Sequence, residues 1–96
     1  MATVYIPSMM QKFTAGAQEV EIEGATVRQV IQNLDLIYPG VKGWLVEGGQ
    51  LKPNVSVAID GAVSNLGLLE LVGEEAEIHF VAAISGGGTL KTNTGL

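Results

Sequence analysis

The segment TVRQVIQNL, residues 26–34, decides the fold that the sequence predicts. Four of its apolar residues recur at i, i+3, i+4 and i+7, the spacing of one face of an α-helix. Thr26 is followed three residues later by a glutamine, a capping-box signature for a helix start. The segment YPG at residues 38–40 ends the helix, because the residue before a proline disfavours helical geometry. The apolar face consists of Val27, Val30, Ile31 and Leu34.

Two short strands precede this helix. Residues 3–6 predict a strand that stops at Pro7, because proline cannot donate a hydrogen bond to a sheet ladder. Residues 18–23 alternate strictly, with Val20 and Ile22 pointing inward and glutamates pointing outward. Two strands so close in sequence predict a hairpin.

Further strands and short elements follow the helix. A strand is predicted at residues 55–59, and the dipeptide Asp60-Gly61 after it is typical of a turn. The last strand, residues 76–81, would direct Ile78 and Phe80 inward. The remaining predictions are a short helical turn at 41–45, a loop at 47–50, and an irregular or helical stretch under the sheet at 66–72.

This order of elements predicts an α+β fold. A hairpin, a helix and then more strands indicate a mixed sheet of four to five strands with one main helix packed on one face. The helix forms the crossover that lets a later strand run parallel to the first.

Composition excludes several classes of function. The chain has 96 residues, enough for one domain, and a net charge of −5, which disfavours nucleic acid as a partner. It has no cysteine and one histidine, so we expect no metal site. No apolar run approaches the length of a membrane span, and no signal peptide is evident, so we expect a cytoplasmic protein.

Glycines dominate the segment after the last strand. Gly86, Gly87 and Gly88 follow Ile84 and Ser85, and glycine loses the most conformational freedom when it is ordered. We therefore predict a folded domain at residues 1–85 and a flexible tail at 86–96. The alternative is a plain linker into a disordered end.

Taken together, the pattern resembles the ubiquitin-like β-grasp sulfur carriers of the MoaD/ThiS family. The resemblance covers about the first nine tenths of the chain. The segment YPG and the long loop after it look most like the branch that supplies sulfur for cysteine synthesis. The matching pieces are VYIP at 4–7, KFTAG at 12–16, EGATV at 23–27, Leu34, YPG at 38–40, NVSV at 54–57, the turn at 60–61 and AISGG at 83–87.

The resemblance implies a protein cosubstrate rather than an enzyme, with no catalytic residue and no bound cofactor of its own. A partner resembling the ubiquitin-activating enzymes would use ATP to adenylate the carboxylate of Gly87, and a sulfur donor would convert it to a thiocarboxylate. Ile84, Ser85 and Gly86 would thread the partner's active site. The thiocarboxylate would then pass its sulfur to an acceptor enzyme in cysteine, molybdopterin or thiamin synthesis.

Two features depart from the family pattern. Gly87 is followed by nine more residues, so its carbonyl is an internal amide that cannot be adenylated. We therefore expect a precursor that a peptidase cleaves after Gly87. The acid-rich stretch at residues 73–77 also stands where the family usually has a turn with Asp-Gly. Two other functions stay open: a ubiquitin-like modifier joined to lysines of target proteins, and a plain β-grasp interaction domain.

Several single residues have simpler interpretations. His79 is expected to be an exposed strand residue, and Trp44 a cap over the core. Asp60 belongs to a turn rather than to a catalytic pair. Glu19, Glu21 and Glu23 form either one solvated strand face or a docking patch for a basic partner, and the first is favoured.

Overall fold

The structure is a computed structural model, and it describes residues 1–82. This part of the chain contains β-strands, two α-helices and two 3-10 helices. The strands are β1 (Ala2–Tyr5), β2 (Glu19–Ile22), β3 (Val46–Glu47), β4 (Gln50–Leu51), β5 (Val55–Ile59), β6 (Ala62–Val63) and β7 (Glu77–Ala82). The helices are α1 (Val27–Ile37) and α2 (Val41–Leu45), with a first 3-10 helix at Ser8–Thr14 and a second at Gly67–Leu69.

Five strands form one mixed sheet in the order β2-β1-β7-β5-β6. β1 and β2 pair antiparallel, so the predicted hairpin is confirmed. β7 lies between β1, to which it runs parallel, and β5, to which it runs antiparallel. Parallel neighbours need a crossover connection, and α1 lies within the one that joins β1 and β2 to β7. The predicted α+β class and mixed sheet are confirmed.

The main helix begins and ends where the sequence predicts. Thr26 Oγ1 accepts a hydrogen bond from the backbone N–H of Gln29 at 3.2 Å. The Gln29 side-chain oxygen accepts from the N–H of Ala25 at 2.8 Å, one residue before the usual capping-box partner. At the other end, the N–H of Tyr38 donates to the carbonyl oxygen of Leu34. Both ends of α1 are therefore tied to the chain that flanks them.

The core lies between α1 and one face of the sheet. All four residues of the predicted apolar stripe of α1 are buried, and so are the inward residues of the central strands. The residues that point to the other face are exposed or half-buried. The inward residues of the central strands are Val4, Val55, Val57, Ile78 and Phe80.

The short strands differ from the prediction. Residues 47–50, predicted as a loop, belong to a β3–β4 hairpin with a two-residue turn at Gly48 and Gly49. Their φ values of 64° and 82° suit a type I′ turn, which needs positive φ at both positions. The predicted turn at Asp60-Gly61 is confirmed, and it leads into β6. Strands of two residues are too short to show alternation, so the sequence does not reveal them.

Two connections also carry more structure than predicted. The segment after β1 forms the first 3-10 helix, in which Met10 and Thr14 are buried. In the stretch at residues 66–72, Leu68 and Val72 are buried as expected. The other three leucines of that stretch are exposed, which corrects the prediction that the whole stretch lies under the sheet. They are Leu66, Leu69 and Leu71.

Candidate functional site at the end of the central strand

The residues predicted to carry the chemistry, Ile84 to Gly87, lie outside the described residues, as does the predicted boundary at residue 85. The structure does describe the strand that leads to them. β7 ends at Ala82, which pairs with Val55 of β5. Because β7 has neighbours on both sides, the described chain ends at the middle of one edge of the sheet.

The sheet face turned away from α1, called the open sheet face below, has an aromatic pair at its centre. Tyr5 of β1 and His79 of β7 lie opposite each other in register. Their rings are stacked, with centroids 4.3 Å apart and planes within 4° of parallel. Ala58 lies beside His79 on the next strand, and Val63 lies beside Ala58. The centre of this face is therefore aromatic and apolar.

Glutamates surround this aromatic pair. Glu19 lies opposite Tyr5 on the β2 side, while Glu21 and Glu77 flank Thr3 from both neighbouring strands. The negative charge of Glu77, followed by partial burial and then by Glu19, raises the pKa of Tyr5 above its ordinary value of 10.0. The open sheet face therefore combines an aromatic centre with an acidic rim.

A second aromatic group lies where the first 3-10 helix contacts α2. This 3-10 helix begins shortly after β1, whose last residue lies beside His79 of β7. Its Phe13 ring lies 5.8 Å from the ring of Trp44, measured between centroids. Lys12 Nζ lies 5.4 Å and 5.5 Å from the Phe13 and Trp44 centroids. Trp44 is 37% exposed and contacts Phe13, which packs against the core.

The side chains and helices of residues 1–82 also bear on metal and membrane binding. No group of three or more His, Cys, Asp and Glu side chains in this part of the chain could hold a metal ion. His79, the single histidine, is stacked on Tyr5 and exposed, as its position in the strand predicts. None of the described helices has the length and apolar character needed to cross a bilayer.

Sequence reasoning missed Tyr5 and the contact between Phe13 and Trp44. Tyr5 and His79 meet only because the crossover places β1 beside β7, and the register between distant strands is not visible in a local pattern. A partial signal for Tyr5 does exist, since it alternates with the inward residues Val4 and Ile6, and a later, unspecified strand was predicted to run parallel to the first. Phe13 lies in a connection for which no element was predicted.

Comparisons with known proteins agree with this architecture. The model of the ThiS family matches residues 4–87, and a search of curated proteins gave no significant match. The solved BexX/CysO complex of Amycolatopsis orientalis matches at 28% identity and a TM-score of 0.86, over 91% of this chain and 100% of the matched chain. CysO of Mycobacterium tuberculosis shares the fold at 24% identity and a TM-score of 0.82, over 88% and 100%.

A modifier protein is also among the similar structures. The small archaeal modifier protein 1 of Methanosarcina acetivorans matches at 25% identity and a TM-score of 0.75, over 90% of this chain and 95% of that one. The family match begins in β1, includes every later described element and ends at the second of the three consecutive glycines. The predicted family resemblance is confirmed, and the chain belongs to the ThiS family.

Proposed function

We propose that this protein is a sulfur carrier whose reactive group is the carboxylate of Gly87, exposed once the residues after it have been removed. The observation that carries the proposal is the end of the family match at Gly87, within a run of three glycines. Of the three branches, we propose the cysteine-synthesis branch, which the segment YPG and the loop after it resemble. A structure that contains CysO matches this chain at 28% identity.

The proposed chemistry needs a good leaving group on the Gly87 carbonyl. A partner enzyme that binds ATP joins the carboxylate to AMP and releases pyrophosphate. A sulfide-level donor then attacks the acyl carbon, the bond to the AMP oxygen breaks, and a thiocarboxylate and AMP remain. In the sequence Gly87 is followed by Gly88, and an amide cannot enter this route. A peptidase that cuts after Gly87 must therefore act first.

The glycines suit this task because they carry no side chain. A segment that threads a narrow active site must bring its backbone close to ATP, and a Cβ would hold the backbone away. Productive transfer also needs the reacting atoms at about 3–3.5 Å, so added bulk should lower the rate strongly. The carrier supplies no catalytic base, and its acceptor enzyme consumes the thiocarboxylate sulfur.

We assign docking of the activating partner to the open sheet face. One of the strands that form this face, β7, leads directly to the proposed reactive segment. An apolar centre with a charged rim is the usual anatomy of a protein interface. The acidic rim of Glu19, Glu21 and Glu77 would complement a basic surface and speed encounter.

The proposal is tested by ATP–pyrophosphate exchange with the cognate activating enzyme. A chain ending at Gly87 should support exchange, and the chain that continues to Leu96 should not. In the shorter chain, Gly87→Ala should reduce exchange strongly. Gly43→Ala is the matched control, since a Cβ at that position meets no atom within 4 Å. Equal exchange by the longer and shorter chains would overturn the precursor proposal.

The similarity to the small archaeal modifier protein favours a second function. The same adenylate could be attacked by the amine of a lysine on a target protein, which would release AMP and form an isopeptide bond. Covalent conjugates of higher mass that depend on Gly87 would support the modifier. A thiocarboxylate without conjugates would support the carrier.

A further inference from the structure

A groove lies on the helix side of the molecule, between α1, α2, the β3–β4 hairpin and the second 3-10 helix. It consists of two adjoining cavities of about 60 and 340 Å³ that share Arg28, Gly49 and Leu68. The smaller cavity extends along α1 to Lys42 of α2. The larger one opens between the hairpin and the exposed side chains of Leu66 and Leu69. The groove is therefore apolar along one wall and basic along the other.

The charge of the groove is opposite to that of the protein. The chain carries ten acidic and five basic residues, yet none of the acidic residues lines either cavity. Lys91 lies outside the described residues, and two of the other four basic residues line the groove. Neither the Arg28 guanidinium nor the Lys42 ammonium makes a hydrogen bond or ion pair with another residue in the described part of the chain.

Asp35 forms no ion pair with either cation in the described part of the chain. Its Oδ1 accepts hydrogen bonds from the backbone N–H groups of Gly40 at 3.1 Å and Lys42 at 3.0 Å. The carboxylate is thus used to hold the start of α2. This leaves the two basic side chains available to an anionic ligand.

The apolar wall is exposed as well. Leu66 and Leu69 are 58% and 68% exposed, while Leu68 between them is buried and anchors the second 3-10 helix. Single exposed leucines are common, but two beside one concave surface form a patch of the kind that binds partners. Gly67, with φ of 56°, holds this turn in a conformation that favours glycine.

The groove and the open sheet face lie on opposite sides of the sheet. α1 covers the face formed by Val4, Val57 and Ile78, and Arg28 projects from that helix layer. Tyr5 and His79 point the other way, since side chains alternate along a strand. A ligand in the groove would leave the open sheet face free.

We propose that this groove docks an acidic, leucine-bearing helix of a partner protein. Leucines of the helix would pack on Leu66 and Leu69, and its carboxylates would pair with Arg28 and Lys42. In helix-in-groove recognition, an amphipathic helix places apolar anchors at i, i+3, i+4 and i+7 along one face. A groove with one apolar wall and one basic wall suits such a helix when its other face is acidic. The inference is independent of the chemistry at Gly87. It implies that two partners can hold the protein at once.

The test uses a synthetic amphipathic peptide of about 15 residues, long enough to form a helix, with leucine anchors and glutamate at its other positions. Titration of the full chain followed by ¹⁵N NMR should shift the amide signals of Arg28, Gln32, Gly49 and Leu68. The same peptide with lysine in place of glutamate should leave them unchanged. Raised salt should weaken binding, because exposed charge pairs are screened.

Arg28→Glu should weaken the acidic peptide about fivefold or more, because one attraction becomes a repulsion. Lys12→Glu, the same charge change outside the groove, should change the dissociation constant less than twofold by the same argument. Absence of saturable binding, or shifts centred on Tyr5 and His79, would overturn the proposal. So would groove binding that appears only after residues 88–96 are removed, since the chain's own end would then be the occupant.

Discussion

Leu34 occupies the centre of the core, and its side chain is fully buried. Leu34→Ala should lower the free energy of unfolding by about 2–5 kcal/mol, because it removes buried methyl groups and leaves a cavity. Leu36→Ala is the control on the same helix, since Leu36 is 81% exposed and should matter by less than about 0.5 kcal/mol. Urea unfolding of both variants checks this prediction, and equal losses would contradict it.

Gly24 packs so closely against α1 that there is no room for a side chain at this position. A Cβ there would lie 2.7 Å from Val30 Cγ2 and 2.8 Å from the Val30 backbone nitrogen. Because the helix backbone cannot move aside cheaply, Gly24→Ala should destabilise the protein by about 1–3 kcal/mol.

Gly43→Ala is the matched control for that substitution. Gly43 lies inside α2 with open space around it, so alanine there should be neutral or stabilise by up to about 1 kcal/mol. Thermal unfolding followed by circular dichroism would measure both variants. Equal stability of the Gly24→Ala and Gly43→Ala proteins would contradict the close contact between Gly24 and Val30.

At the scale of elements, α1 and the long strands were predictable because each carries a strong local signal. The apolar stripe and the Thr26 cap define the helix, and strict alternation defines β2, β5 and β7. The three short strands, β3, β4 and β6, have two residues each. Their pairing depends on turns that contain glycine, and in the sequence such turns cannot be distinguished from loops. The stack of Tyr5 on His79 depends on tertiary register and so remained hidden.

The charges on the open sheet face lead to a prediction about the pKa of Tyr5. Glu77 is the largest cause of the raised Tyr5 pKa, so Glu77→Gln should lower that pKa toward the ordinary value of 10.0. Ultraviolet titration in a Tyr38→Phe background would isolate Tyr5, because the chain has two tyrosines. Glu47→Gln, on the β3–β4 hairpin, is the charge-matched control and should leave the Tyr5 pKa unchanged.

The raised pKa of Tyr5 also predicts how the free energy of unfolding changes with pH. The folded protein holds the Tyr5 proton more tightly than the unfolded chain does. The free energy of unfolding should therefore fall as pH rises from about 10 through the raised pKa, and should not change through Tyr5 below that range. An identical Tyr5 pKa in Glu77→Gln and in the parent would contradict the assigned cause.

At the scale of the whole molecule, the protein presents two surfaces on opposite sides of one sheet. The open sheet face includes β7, the strand that leads to the glycine run. The basic groove lies on the other side of the sheet, where α1 forms part of its lining. The glycine run could be identified from the sequence because its spacing after the last strand is local. The two surfaces could not, since each gathers residues from distant segments. The open sheet face joins Tyr5 to His79, and the groove joins Arg28 to Lys42 and Leu69.

The central claim is that Gly87 becomes a reactive C-terminus. Intact-mass spectrometry of the protein purified from its own cells tests this most directly, combined with iodoacetamide treatment. The chain has no cysteine, so this reagent distinguishes a thiocarboxylate from an ordinary carboxylate without competition from a cysteine thiol. We predict a species ending at Gly87, with a fraction heavier by the mass difference between sulfur and oxygen, and alkylation of that fraction alone. A protein that retains residues 88–96 throughout, with no alkylated fraction, would contradict the account.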